Sequence, residues 1–111
     1  MVQLFHTTSE TCSRLVTESY STSFFSAIGM LHTSLRKPVY NIYGFVRFAD
    51  EIVDSFHDFD KKLLLQQFKV ETYDAIERKI SLNPILNSFQ QTVNEYGIDA
   101  KLIDSFFESM E

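Results

Sequence analysis

The stretch from Val39 to Asp54 constrains the fold most, because it combines an apolar helix with one line of polar side chains. At about 100° per residue, a helix here places four polar side chains on an arc of roughly 60°. We call this arc the motif face; it consists of Tyr43, Arg47, Asp50 and Asp54. His57 falls at its edge, and the rest of the circumference is almost entirely apolar. Such a helix is normally buried, so its polar groups need partners, a metal ion or a wet cavity.

Composition narrows the classes of protein that fit. The chain has 111 residues, of which 44% are hydrophobic, so we expect one globular unit over residues 1–111. The formal net charge of −5 and the absence of any basic run argue against nucleic acid as the main partner. Cys12 is the one cysteine, which fits a reducing compartment, and neither a membrane span nor a signal peptide is visible. The sequence therefore predicts a cytoplasmic protein.

The apolar spacing is helical throughout and predicts an all-α fold of about five helices. Thr8 or Ser9 is the expected N-cap of the first, which carries Cys12, Leu15, Val16, Ser19 and Tyr20. We expect Ser21–Ser26 to be a helix end and loop, with a short turn continuing to Met30. The central helix is expected to begin between Ser34 and Pro38, with Pro38 in its first turn and Arg36 and Lys37 before it. It should end near Phe56 or His57.

Clear boundary signals mark the remaining helices. Asp58 or Asp60 can cap a helix that runs to about Ile80. Asn83 followed by Pro84 predicts the next start, and Gly97 its end. Asp99 opens a last helix that reaches Glu111 without a closing signal. We therefore expect the chain to be the N-terminal part of a larger domain.

The carboxylates of the motif face suggest a cation site. Asp50 and Asp54 lie one turn apart, where like charges repel on a bare helix unless a cation lies between them. Ligands that are all oxygen favour Mg²⁺, which commonly takes substrate phosphates as further ligands. Arg47 adds a planar donor group suited to a diphosphate. The competing interpretation is an ordinary pair of Arg47 with Asp50 on a solvated face, which the apolar surroundings disfavour.

The motif face and the segment Tyr20–Phe24 together resemble the squalene/phytoene synthase family, the head-to-head prenyl synthases. Tyr40-x-x-Tyr43-x-x-x-Arg47-x-x-Asp50-Glu51-x-x-Asp54 is similar to the family's first aspartate-rich motif, with Glu51 where the family often has a second Asp. Tyr20-Ser21-Thr22-Ser23-Phe24 resembles the Ser-x-Ser-Phe segment over the family's diphosphate site. The resemblance implies the N-terminal part of the isoprenoid synthase helical fold.

The resemblance also implies roles for these residues. Asp50 and Asp54 would hold Mg²⁺ and, with Arg47, would be the catalytic residues. Arg47, Ser21 and Ser23 would contact the diphosphate, and Tyr43 and Phe24 would line the prenyl channel. The substrate-binding residues implied in full are Tyr20, Ser21, Thr22, Ser23, Phe24, Tyr43 and Arg47.

The implied reaction condenses two isoprenoid diphosphates head to head, through a cyclopropyl intermediate, to squalene, dehydrosqualene or phytoene. The family has a second D-x-x-x-D motif on a later helix, whereas Asp74, Asp99 and Asp104 lack that spacing. We therefore expect the chain to be inactive alone. Expected partners are isoprenoid diphosphates, a membrane surface touched peripherally for product release, and a second copy of the chain, through the apolar flank of the central helix.

Two other interpretations remain open at this point. The chain could be a non-catalytic helical module: either a relative of the family that has lost its second half and serves in interaction, or a module whose motif face is a structural seam of ion pairs. A weaker interpretation is a metal-binding helix bundle that uses Asp54 and His57, whose spacing is found in di-iron bundles. Such bundles need further Glu-x-x-His helices, and the chain has none.

Overall fold

A computed structural model describes all 111 residues, which form six helices and no strand. The helices are α1 (Val2–Tyr20), α2 (Thr22–Ile28), α3 (Thr33–Ser55), α4 (Lys61–Arg78), α5 (Pro84–Tyr96) and α6 (Ala100–Met110). The all-α prediction is confirmed, with one helix more than expected. None of the six has the length and apolarity that crossing a bilayer requires.

The start predicted for α1 is wrong, because the helix begins six residues before Thr8, at Val2. The Thr8 hydroxyl donates to the Leu4 carbonyl at 2.8 Å, and the Ser9 hydroxyl donates to the Phe5 carbonyl at 2.9 Å. Both side chains therefore bond back into a helix that has already begun, an alternative to capping that serine and threonine share.

The loop predicted over residues 21–26 is also wrong, because α2 occupies most of it. The Ser21 side chain is the N-cap and accepts a hydrogen bond from the Phe24 amide at 3.1 Å. The hydroxyl preference for local backbone bonds is thus met at the start of a helix rather than in a loop.

The central helix α3 begins at Thr33, so Pro38 lies inside it and Arg36 and Lys37 are helical, contrary to prediction. The His32 ring supplies the cap, because its Nδ1 accepts from the Ser34 amide at 3.2 Å. Imidazole is a less usual cap than a hydroxyl or carboxylate, which explains why the start is hard to read from the sequence. The other end, at Ser55, is within two residues of the prediction.

The caps of the last three helices are confirmed. Asp60, Asn83 and Asp99 each accept a backbone amide at the start of α4, α5 and α6. Gly97 ends α5 with φ 64°, a left-handed conformation that favours glycine. The end of α4 differs slightly from the prediction, at Arg78 instead of Ile80.

The core on one side of α3 is aromatic. Phe45 is only 2% exposed, and its ring stacks on Phe89 with centroids 3.8 Å apart. Phe68, Phe106 and Phe107 surround the same ring, with centroids between 5.3 and 5.8 Å away. This cluster joins α3 to α4, α5 and α6 in one apolar centre.

A second interface, between α1, α3 and α5, is made of small and polar side chains. We call it the hydroxyl seam; it consists of Ser9, Ser13, Thr17, Gly44 and Ser88. Ser9, Ser13, Thr17 and Ser88 are fully buried, and the hydroxyls of Ser13 and Ser88 are hydrogen-bonded. Leu15 belongs to the apolar pattern that predicts α1, but its side chain is 60% exposed and is not part of this interface.

The expected self-association would use the apolar flank of α3, which must then be exposed. Leu35 is 48% exposed and Ile42 is 37% exposed, so part of this flank is open to solvent. Exposed apolar side chains are common singly on monomers. Self-association therefore stays a prediction.

Tyr73 on α4 gives a testable pH dependence of stability. Burial and a hydrogen bond to Asp104 raise the pKa of Tyr73 to about 12. Because the pKa is raised in the folded state, its contribution to stability is complete below the ordinary value of 10.0 and is lost between pH 10 and 12. In a titration of phenolate absorbance, Tyr73→Phe should remove the latest-ionising component, and Tyr96→Phe, at an exposed position, should leave it. Loss of that component in Tyr96→Phe instead would contradict the assignment.

Candidate functional site

The motif face lies on the side of α3 away from Phe45. Tyr43, Arg47 and Asp50 are partly exposed, and Asp54 is exposed. The expectation that α3 is buried nearly all round is therefore wrong, because the aromatic core covers only the opposite side. The motif face is a partly covered surface, open to a ligand from solvent.

The Tyr20–Phe24 segment packs against the motif face. Arg47 lies over the Tyr20 ring, with its Cζ 4.7 Å from the ring centroid, a distance suited to a cation–π contact. The Phe24 and Tyr43 rings are 5.0 Å apart between centroids. Tyr20 ends α1 and Phe24 lies in the first turn of α2, so the two segments that carry the resemblance meet in space.

Within this segment the hydroxyl side chains are placed differently. The Ser21 hydroxyl accepts the Phe24 amide and is thereby committed to the helix cap. Thr22 and Ser23 are exposed in the first turn of α2, and neither side chain makes a hydrogen bond within the protein. Thr22 and Ser23 therefore have the freer hydroxyls for a ligand.

Arg47 pairs with Glu51 and not with Asp50. Its Nη2 lies 3.2 Å from Glu51 Oε2, and both side chains are about three-quarters or more buried. The competing interpretation of an exposed Arg47–Asp50 pair is therefore wrong, because the guanidinium contacts Glu51, one helical turn further along α3. Burial opposes the Arg47 charge, but the hydrogen bond to Glu51 and the charges of Glu51 and Asp50 outweigh it and raise the pKa of Arg47.

Glu51 is the centre of a small polar cluster. Hydrogen bonds from Ser55 and Tyr20 lower the pKa of Glu51, and Arg47 lowers it further against the opposing effect of burial. The same contact raises the pKa of the Tyr20 hydroxyl. Glu51 is therefore ionised at neutral pH and surrounded by donors.

Asp50 and Asp54 are left without partners in the protein. Neither carboxylate makes an ion pair, and no group of three or more His, Cys, Asp or Glu side chains could enclose a metal ion. Mg²⁺ is usually bound through one or two protein carboxylates, with water and substrate phosphates as the other ligands. Two free carboxylates one turn apart fit that requirement, whereas a metal held by protein alone does not fit.

The interpretation that pairs Asp54 with His57 gains no support. His57 is exposed, and its Nδ1 lies 3.0 Å from the Lys61 ammonium, which also donates to the Val53 carbonyl at 2.7 Å. The lysine charge occupies the space that a cation beside His57 Nδ1 would need.

Sequence reasoning missed the role of Glu51, which was interpreted only as a conservative replacement for aspartate. The signal was present, because Arg47 and Glu51 are four residues apart and side chains at that spacing meet on a helix. Nothing local could show that Tyr20 also reaches the pair, since that contact depends on how α1 packs on α3.

Comparison with known proteins agrees with this geometry. The family model described as Squalene/phytoene synthase matches residues 17–111, which include both the Tyr20–Phe24 segment and the motif face. No curated protein and no solved structure matches the chain. The family is all-α, as this chain is, and its members generally use Mg²⁺ and isoprenoid diphosphates. The chain belongs to the squalene/phytoene synthase family.

Proposed function

We propose that the motif face and the Tyr20–Phe24 segment form one wall of a magnesium–diphosphate site for isoprenoid diphosphates. The reaction that this site would serve is the head-to-head condensation of two isoprenoid diphosphates, which yields squalene, dehydrosqualene or phytoene. The observation that carries the proposal is the packing of Tyr20 and Phe24 against Arg47 and Tyr43, beside the unpartnered carboxylate of Asp50.

Each group has a physical role in this proposal. Asp50 and Asp54 would hold Mg²⁺, which, when bound, neutralises the charge of the leaving diphosphate. Arg47 offers planar donors to the diphosphate oxygens. Thr22 and Ser23 add hydroxyl donors, and Ser21 fixes the start of the helix that carries them.

The aromatic pair supplies the apolar side of the site. Phe24 and Tyr43 lie in contact next to Arg47, so a prenyl chain whose diphosphate binds Arg47 can pass along their rings. Aromatic faces also favour a nearby cation through their quadrupole. The chain has no second D-x-x-x-D motif after Asp60, so we expect it to bind substrate without turning it over.

The test is binding of farnesyl thiodiphosphate, a non-ionising analogue, measured by calorimetry with and without Mg²⁺. We expect wild-type binding to depend on Mg²⁺, and Asp50→Asn and Asp54→Asn each to weaken it by about 10- to 100-fold, since each removes a charged ligand. Asp58→Asn removes the same charge four residues beyond Asp54 and serves as the matched control.

Two results would overturn the proposal. If Asp50→Asn bound the analogue as tightly as the wild type does, the assignment of Asp50 as a metal ligand would be wrong. Absence of Mg²⁺-dependent binding in the wild type would leave the non-catalytic interaction module as the function of this chain.

A further inference from the structure

We infer that Glu51 is a positioning residue that holds the Arg47 guanidinium ready for the diphosphate and is not a ligand of the metal. The inference rests on the function proposed above and concerns Glu51 because, of the three acidic residues of the motif, it alone forms an ion pair with Arg47. Of the three carboxylates in the motif, Asp50 and Asp54 would then bind the cation, and Glu51 would hold the arginine.

The helix itself separates Glu51 from the other two carboxylates. At about 100° per residue, Glu51 lies roughly 100° around α3 from Asp50 and roughly 60° from Asp54. On that side of the helix it meets the last residue of α1, Tyr20, whereas Asp54 is exposed. Glu51 is therefore displaced from the surface where Asp50 and Asp54 are free.

The Glu51 carboxylate is already engaged with Arg47. Oε2 accepts from Arg47 Nη2 at 3.2 Å, and the nearby hydroxyls of Ser55 and Tyr20 also favour the charged form of the carboxylate and lower its pKa. A metal ion at Glu51 would have to compete with the Arg47 guanidinium for the carboxylate, whereas Asp50 and Asp54 have no ion pair to lose.

The contacts of Arg47 fix its orientation. The Tyr20 ring covers one face of the guanidinium, and Glu51 holds Nη2. Nε is buried without an acceptor, a costly placement that persists only when the surroundings enforce it. Nη1 makes no hydrogen bond within the protein, so this edge of the guanidinium is the one offered to a ligand.

A double-mutant cycle tests whether Glu51 acts through Arg47. Binding of farnesyl thiodiphosphate at saturating Mg²⁺ is compared among wild type, Glu51→Ala, Arg47→Ala and the double variant. We expect Glu51→Ala to weaken binding about tenfold, in line with the strength of a charged hydrogen bond. The double variant should bind no more weakly than Arg47→Ala, and Glu51→Gln, which keeps an acceptor, should recover part of the loss.

The Mg²⁺ concentration needed for half-maximal binding separates positioning from coordination. It should shift in Asp50→Asn and stay unchanged in Glu51→Ala. Additive losses in the cycle, or a shift of the Mg²⁺ requirement in Glu51→Ala, would overturn the inference while the proposed function stood.

A measurement without any ligand separates the two proposals further. The Arg47 Nε–H signal in ¹H–¹⁵N spectra should exchange with water slowly in the wild type, because this nitrogen is buried. Exchange should be at least tenfold faster in Glu51→Ala, and unchanged exchange would overturn the inference. Faster exchange together with no diphosphate binding by the wild type would overturn the proposed function, while the positioning of Arg47 by Glu51 would stand.

Discussion

Replacing Phe45 with alanine should cost about 3–5 kcal/mol of unfolding free energy, the largest loss expected at any single position. Phe45 is 2% exposed and stacks on Phe89 with ring centroids 3.8 Å apart. Its ring also contacts Phe68 and Phe107 from two other helices, so truncation leaves a cavity shared by four elements. Since small domains are stable by only about 5–15 kcal/mol, urea unfolding followed by circular dichroism should show a clearly lowered midpoint.

Phe59 provides the matched control. It is 68% exposed in the turn between α3 and α4, so Phe59→Ala removes the same atoms without opening a core. We expect this variant to change the unfolding free energy by less than about 0.5 kcal/mol. Equal losses in the two variants would show that the aromatic cluster is not the centre of stability.

Replacing Gly44 with leucine should cost about 3 kcal/mol, because it forces α1 away from α3. A Cβ atom at Gly44 would lie 3.0 Å from the Ser13 hydroxyl and 3.3 Å from the Ser13 Cα. The second of these contacts is with backbone, which cannot rotate aside. The same urea experiment measures the loss, and the Tyr20 contact with Arg47 should weaken with it, since Tyr20 is carried by α1.

Ser105→Leu controls for adding a leucine to a helix. Ser105 is exposed within α6, where a leucine meets no neighbouring helix. We expect little change in stability there. If Gly44→Leu proved equally harmless, the close approach of α1 to α3 would not be a determinant of the fold.

The helix boundaries show which structural features can be predicted from local sequence alone. Asn83, Gly97 and Asp99 act through bonds within a few residues, so their roles can be predicted without knowing the rest of the fold. Thr8 and Ser9 could equally cap a helix or bond back into one. Only the presence of an earlier turn, from Val2 onward, decides between the two.

The candidate site likewise combines features that local sequence predicts with features that depend on the rest of the fold. Helical periodicity alone places Arg47, Asp50 and Asp54 on one face of α3. Periodicity cannot reveal which face the core covers, and for that reason the expected degree of burial was wrong. The approach of Tyr20 to Arg47 depends on the hydroxyl seam, whose small residues give no apolar signal.

The hydroxyl seam has a thermodynamic consequence for the site. Serine and threonine side chains bury little apolar area, so α1 gains less from docking on α3 than α4, α5 and α6 gain from the aromatic core. Its local opening therefore needs less free energy than global unfolding. Tyr20 contributes to the site only while α1 is docked. Under the proposed function, a diphosphate at Arg47 would therefore favour the docked arrangement by mass action. Binding of the proposed substrate and docking of α1 would then form a single linked equilibrium.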